Sequence, residues 1–361
     1  VDYRIRWQQR RRQKQRQRLL VIPAALLLGV GLVWALRVTG ERGVMWEVQG
    51  PRHLLPQLAA GERGPYVLWA DGHVWALEAD SGQPLRNGPL FSHPDRFCGR
   101  PLVSGGVLYF GSDVGVMRAI NASGQLLWQR ETGGAIRGQP VLRGDALYFG
   151  SDNGNVYCLS ARDGQSRWVR PLGGAVASDV AAGEQVIYAA TTQGLVCALQ
   201  AGSGAIVWQR ELQTPIFSPV TLAGELVVVG SDQGEVHLLA ASSGQDVARY
   251  ATRGPVRTGV AAGSETLCFA GTDGWVRGVS ADGLTPRWQH YLGGPVTLGP
   301  LAVGEDCLVA RRGRLVLLRL KDGHIERSWG GEAFGSSLLV TPEAFIVGTL
   351  EGRVIALTRP R

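Results

Sequence analysis

A turn glycine recurs along this chain at a nearly fixed interval, and no other feature restricts the fold as much. Aligned on it, the sequence gives Gly72 in WADGHVWAL, Gly115 in FGSDVGVMRAI, Gly154 in FGSDNGNVYCL and Gly194 in AATTQGLVCAL. Gly234 in VGSDQGEVHLL, Gly274 in AGTDGWVRGV, Gly313 in ARRGRLVLL and Gly352 in GTLEGRVIAL complete the series. The steps are 43, 39, 40, 40, 40, 39 and 39 residues. Such periods mark stacked or radially arranged repeats. Within one unit, LYFGSD and NVYCLS are short runs rich in β-branched and aromatic residues bounded by turn formers, so both read as strands. Between them, glycine supplies a positive φ and Asp152 can accept from backbone N–H groups, which makes a tight hairpin. A second turn, Asp163–Gly164, leads to a strand carrying tryptophan, and a further strand such as QPVLRG precedes the hairpin. Four antiparallel strands in about 40 residues make a propeller blade.

Tryptophans give an independent count. Trp46, Trp128, Trp168, Trp208, Trp288 and Trp329 mark outer strands, and the gaps in their rhythm fall at Arg86 and Ala248. The first of these strands, VMWEV, precedes any hairpin, whereas the last hairpin, FIVGTLEGRVIAL, has no Trp strand after it. Eight blades follow if the strand around Trp46 completes the last one, which leaves no free edge at the closure. The expected fold is an all-β, eight-bladed propeller of four-stranded antiparallel blades over residues 44–358, with seven blades as the rival count.

The net charge of +7 would suggest nucleic acid as a partner, but its position argues otherwise. The first 37 residues contribute +8, which leaves about −1 for the body, so no nucleic-acid partner is expected. Residues 1–18 form a basic tail, and Leu19 to Leu36 are an uncharged apolar run of 18 residues. As a helix that run spans about 27 Å, close to the hydrocarbon thickness of a bilayer. The basic block then keeps the N-terminus in the cytoplasm and exports the body. A cleaved signal peptide has similar parts, but the basic region is long and no A-x-A site follows. The reading is one N-terminal transmembrane helix at 19–36, a short linker at 37–43 and a periplasmic or extracellular propeller on the inner membrane. Nine extended residues, Arg37 to Met45, reach at most about 32 Å, so the propeller sits near the bilayer. Arginine dominates, with Lys14 and Lys321 the only lysines, as in GC-rich bacterial genomes.

The cadence in AINASGQLLW (Ala119–Trp128) and ALQAGSGAIVW (Ala198–Trp208) resembles the pyrroloquinoline-quinone (PQQ) repeat family. The resemblance implies that alanine, glycine and tryptophan dock adjacent blades together. It extends over about residues 44–358 and is similar to the propeller lipoprotein of the outer-membrane β-barrel assembly machinery, here with a transmembrane anchor. The same repeat builds quinoprotein dehydrogenases, so fold cannot choose the function.

For the dehydrogenases the resemblance implies an adjacent Cys–Cys disulfide, a Glu/Asn/Asp calcium set and long inserted loops. Here Cys98, Cys158, Cys197, Cys268 and Cys307 are isolated in sequence, and the one visible insertion is NGPLFSHPDRFCG (Asn87–Gly99). His53, His73, His93, His237, His290 and His324 show no zinc spacing. Asp113, Asp152 and Asp232 lack the alternating acids of a calcium loop and read as turn residues. Cys268 and Cys307 occupy the position of Tyr66, Tyr109, Tyr148 and Tyr188 and read as core. No cofactor, no metal and no catalytic residue is expected, and the chain is read as a non-enzyme.

What varies is the column just before each innermost strand: Cys98, Arg137, Ala177, Phe217, Arg257 and Thr297, with Arg100, Gln139, Asp179 and Pro219 two positions on. Variation on a fixed frame is where recognition can be written, and Arg100, Arg137, Phe217 and Arg257 are the candidate partner-binding residues. The expected function is an interaction scaffold for membrane proteins or their juxtamembrane domains, in envelope assembly or within a membrane complex. A ligand-sensing or carbohydrate-binding ectodomain is the second reading and a quinoprotein dehydrogenase the third.

Overall fold

The computed structural model describes residues 43–51, 54–283, 285–332 and 334–360. Among them, thirty-two strands form eight four-stranded antiparallel sheets, so the protein is an eight-bladed propeller and the seven-blade count falls. The basic tail at 1–18, the apolar run at 19–36 and the linker up to residue 42 lie outside the described residues. No helix among the described residues is long and apolar enough to cross a membrane.

Blade 3 shows the pattern. Its inner strand is Val141–Arg143, its second Ala146–Gly150, its third Asn155–Ser160 and its outer strand Ser166–Pro171, each paired with the next. Because blades face one another, both sides of the middle strands are covered, and ALYFG is buried throughout. Outer strands have one covered side; in LLWQRE only Trp128 is buried. The blade has two ends. At the hairpin end lie the second-to-third turns, such as the one at Gly154, and the loops that enter each inner strand. At the opposite, dock end lie the inner-to-second and third-to-outer turns.

At the dock end five indoles join blade to blade. Trp46, Trp128, Trp168, Trp208 and Trp288 donate Nε1–H to the carbonyls of Ala79, Ala161, Ala201, Ala241 and Leu320 at 2.6–2.8 Å. Each ring lies flat on a turn glycine of the next blade. At Gly164, with φ +69°, an added Cβ would stand 2.6 Å from the Trp128 ring, so only glycine admits the indole. The hydroxyls of Tyr109, Tyr148 and Tyr188 donate to the carbonyls of Ala161, Ala201 and Ala241 at 3.4, 3.1 and 3.2 Å.

Three junctions depart from this pattern. Trp329 lies on an outer strand, but it faces Leu315 and leaves Arg327 opposite Leu317, the register in which the other tryptophans stand. Two residues further along a strand is the same side but nearer the hairpin end. There its ring meets the edge of Phe345 at 5.7 Å and lies under Arg327 at 5.3 Å. Its N–H has no acceptor among the described residues. In blade 5, Ala248 faces Leu238, and Tyr250 packs edge-on against Phe269 at 5.2 Å. In blade 1, the outer strand pairs through Leu85, leaves the sheet, and returns at Leu90. Leu90, not Arg86, then lies against Gly124, while Arg86 reaches the Ser123 carbonyl at 3.3 Å.

The ring closes in blade 8. Val44–Gln49 pairs with Arg353–Thr358, placing Trp46 opposite Ala356 and Val48 opposite Val354. Arg353 fixes this seam through Glu47 at 2.9 Å, Glu351 at 2.8 Å and Glu332.

Candidate functional site

The hairpin end carries all four candidate residues, because the entering loops of blades 2 to 6 are tied to their blades by one repeated backbone bond. Asp113, Asp152, Thr192, Asp232 and Thr272 each donate N–H to an entering-loop carbonyl, those of Arg96, Ala135, Ala175, Pro215 and Pro255, at 2.9–3.0 Å. That bond sets the loop column beside the turn column, so side chains of the two meet.

The chemistry of the meeting varies around the ring. Arg137 Nε donates to Asp152 at 2.7 Å, and this hydrogen bond raises the guanidinium pKa. Arg257 faces Thr272 in its own blade, so it reaches back to blade 5. There it grips Asp232 with Nε at 2.5 Å and Nη2 at 2.9 Å. The same hydrogen bond lowers the Asp232 pKa. Its guanidinium also lies 5.4 Å from the Phe217 ring centre, a cation–π geometry. Phe217 remains 42% exposed although it is large and apolar. Arg100 turns inward instead. It pairs with Asp179, two blades away, whose other oxygen accepts the Gln139 N–H at 2.8 Å. Desolvation by the surrounding protein lowers the Arg100 pKa.

The four residues therefore divide. Phe217 and Arg257 form one contact with Asp232, Arg137 with Asp152 stands in blade 3, and Arg100 bridges blades 2 and 4. Between Arg137 and Arg96 lies Cys98, its thiol pushed up to about 11 by burial against the opposing pull of Arg137. Asp152, Asp232 and Asp179 are the partners that sequence reasoning left as turn or column residues. The arginine and aspartate columns are both visible in the sequence; the hydrogen bond that joins them is not.

A second polar cluster joins the loop after blade 1 to the strand Val116–Asn121 of blade 2. Arg118 is 1% exposed and pairs with Asp95, while its Nη2 lies 3.2 Å from His93 Nδ1. Among the described residues no group of three or more His, Cys, Asp or Glu is placed to hold a metal ion. Cys268 and Cys307 meet across blades 6 and 7 as free thiols, Cys307 donating to Cys268 Sγ at 3.4 Å.

The family model for outer membrane protein assembly factor BamB matches residues 28–198, 112–255 and 192–338. The chain belongs to this PQQ-repeat family. No curated protein matches the sequence. The computationally designed Ika8 protein is similar in structure, with a TM-score of 0.75, 16% identity, and 86% of this chain and 98% of that one covered. BamB from Moraxella catarrhalis is similar as well, with a TM-score of 0.72, 17% identity, and 87% and 98% covered. At such identities the likeness concerns the fold, and a designed protein shares it as fully as a natural one.

Proposed function

We propose that this BamB-family propeller is a non-catalytic scaffold, held at the outer side of a bacterial inner membrane, that docks a membrane-protein partner on its hairpin end. One observation carries the reading. A large exposed aromatic, Phe217, is held by Arg257, which Asp232 itself fixes. Aromatic residues and arginine are the side chains most enriched in binding hot spots, and preorganisation lowers the cost of binding. The arginine–aspartate pairs around them leave the end nearly neutral, which favours a mixed polar and apolar partner surface over a polyanion.

The closure gives the proposal an orientation. Val44 begins at the dock end, opposite Leu357, so an anchor at 19–36 would place the dock end toward the bilayer. The hairpin end then faces away from the membrane, toward a partner's extramembrane domain. A photo-crosslinking residue at Val114 or Phe217 is expected to capture one defined membrane protein, and one at Ser243 on the dock end is not. The Arg137→Glu, Arg257→Glu double variant is expected to lose that product. An unchanged product, or capture from both ends alike, rejects the hairpin end as the docking face.

A further inference from the structure

Cys268 and Cys307 lie 39 residues apart in the chain, each at 0% exposure, in the packed cluster between blades 6 and 7. Aligned on the turn glycines they occupy one column, and residues of one column face the same way around the ring. The hairpin of blade 7 breaks that rule. In blade 6 the second and third strands last pair at Ala270 and Val276, whereas in blade 7 they pair up to Arg311 and Arg314, around the turn Arg312–Gly313. Counted from the pairing, Cys307 faces Leu318 as Leu267 faces Val279, and it is Leu308, opposite Leu317, that matches Cys268 opposite Gly278. A shift of one residue in a strand moves a side chain to the other face. Cys268 therefore points forward to blade 7 and Cys307 back to blade 6, which brings the two sulfurs to 3.4 Å.

The corresponding positions at other joints hold a tyrosine and an aliphatic residue. Tyr148 shares a cluster with Ile187 between blades 3 and 4, and Tyr188 shares one with Val227 between blades 4 and 5. Those tyrosines also donate to the carbonyl that accepts the indole N–H. With cysteine in the tyrosine's place, the joint of blades 6 and 7 keeps the Trp288 bond to the Leu320 carbonyl and lacks the hydroxyl one. Sulfurs in a disulfide stand about 2.05 Å apart. Small rotations about the two Cα–Cβ bonds supply the approach from 3.4 Å.

We infer that Cys268 and Cys307 form an inter-blade disulfide, a redox-sensitive staple across the joint of blades 6 and 7. Two S–H bonds break and one S–S bond forms; the two electrons and two protons pass to a disulfide oxidant, which becomes two thiols. Burial raises the Cys268 pKa, so thiolate is scarce once the core has closed. The exchange therefore belongs to folding, before blade 7 packs on blade 6. One thiolate opens the oxidant's disulfide, and the other then displaces the oxidant from the mixed disulfide. The finished bond closes a loop of the chain and restricts its unfolded state. That the cell makes this bond rests on the location outside the cytoplasm proposed above, because disulfides persist in oxidising compartments. The capacity of the pair to bond does not rest on it.

The full chain, purified in mild detergent, can be unfolded and reduced, refolded in parallel against reduced and oxidised glutathione, alkylated in urea and digested with trypsin. After oxidative refolding, residues 258–277 and 288–311 are expected as one disulfide-linked peptide, with Cys98, Cys158 and Cys197 alkylated. The linked form should unfold at a higher urea concentration than the reduced form, and dithiothreitol should abolish the difference. Cys307→Ala should remove this redox dependence and Cys197→Ala should keep it. The peptide map needs no variant, so it decides the matter even if Cys307→Ala does not fold. Free thiols at all five cysteines after oxidative refolding, a link between any other two cysteines, or a linked form no more resistant to urea would each overturn the staple. Alkylating intact cells before lysis tests the location separately. A pair that links in the tube but is free in cells overturns the location and leaves the chemistry of the pair standing.

Discussion

Replacing Trp208 by alanine measures what one blade joint is worth. The indole is 8% exposed, lies on Gly244, tilts against Tyr188 at 6.0 Å and donates to the Ala241 carbonyl at 2.8 Å. Truncating a buried tryptophan to alanine costs about 3–5 kcal/mol through lost transfer energy and the cavity left behind. The lost hydrogen bond adds only about 1 kcal/mol, because Tyr188 still donates to the same carbonyl at 3.2 Å and no acceptor is orphaned. Trp208→Phe separates the two terms: it keeps most of the ring and removes the donor, for a cost of about 1 kcal/mol. Trp329 is the internal control. Its N–H has no acceptor among the described residues, so Trp329→Phe should cost clearly less than Trp208→Phe. Equilibrium unfolding in urea, followed by far-ultraviolet circular dichroism, gives these differences directly if the slope with denaturant is unchanged. A cost below about 1 kcal/mol for Trp208→Ala would refute the joint as a source of stability. Equal costs for the two phenylalanine variants would refute the role assigned to the indole hydrogen bond.

Other consequences can be checked with the same assay. Asp95→Ala leaves the Arg118 charge buried and unpaired, for an expected loss of about 3–5 kcal/mol. The double variant Asp95→Ala, Arg118→Met should recover much of that loss, and no recovery would mean that the pair is not the cause. Deleting Val44 to Val48 removes the outer strand of blade 8 and should lower the thermal midpoint far more than deleting residues 1–18; similar midpoints would contradict closure by strand pairing. Burial pushes the Cys197 thiol up to about 12. A thiol whose folded pKa lies above its unfolded value must ionise on unfolding in alkaline solution. Its stabilising contribution is whole below about pH 9 and falls by up to about 1.4 kcal/mol per pH unit toward pH 12. Urea midpoints from pH 8 to 10.5 should decline less steeply in Cys197→Ala, and identical slopes would argue against a buried neutral thiol.

The blade count was legible because two marks recur at fixed spacing, a hairpin glycine in all eight repeats and, as a separate device, an outer-strand indole in most of them. It misled where the device changed. Trp329 kept the rhythm of the tryptophans to within two residues, but in a strand two residues preserve the side and change the partner. Arg86 occupied the sequence gap, whereas the space was taken by Leu90, which depends on a detour of the chain that no periodicity records. Ala248 has a hint of its own: four residues before Trp288 stands Leu284, where earlier blades have glycine, although Leu284 lies outside the described residues. At the hairpin end the sequence displayed the arginines of one column and the aspartates of another. Which of them pair depends on cross-loop bonds and on substitutions such as Thr272, which sends Arg257 to the neighbouring blade. Arg100 and Asp179 join across an intervening blade, a contact set by the curvature of the ring.

The seam of blade 8 also sets a waiting time. Val44–Gln49 is made early, and its partner Arg353–Thr358 follows about 300 residues later. At translation rates of about 5–20 residues per second, that strand remains unpaired for about 15–60 s. During this interval VMWEVQ is an exposed edge carrying an indole with nothing to dock on, open to pairing with another chain. A circular permutant that begins at the inner strand of blade 8 and carries Val44–Gln49 directly after Thr358 would make the two partners consecutive. It should therefore refold with less concentration-dependent aggregation than the parent, at unchanged final stability.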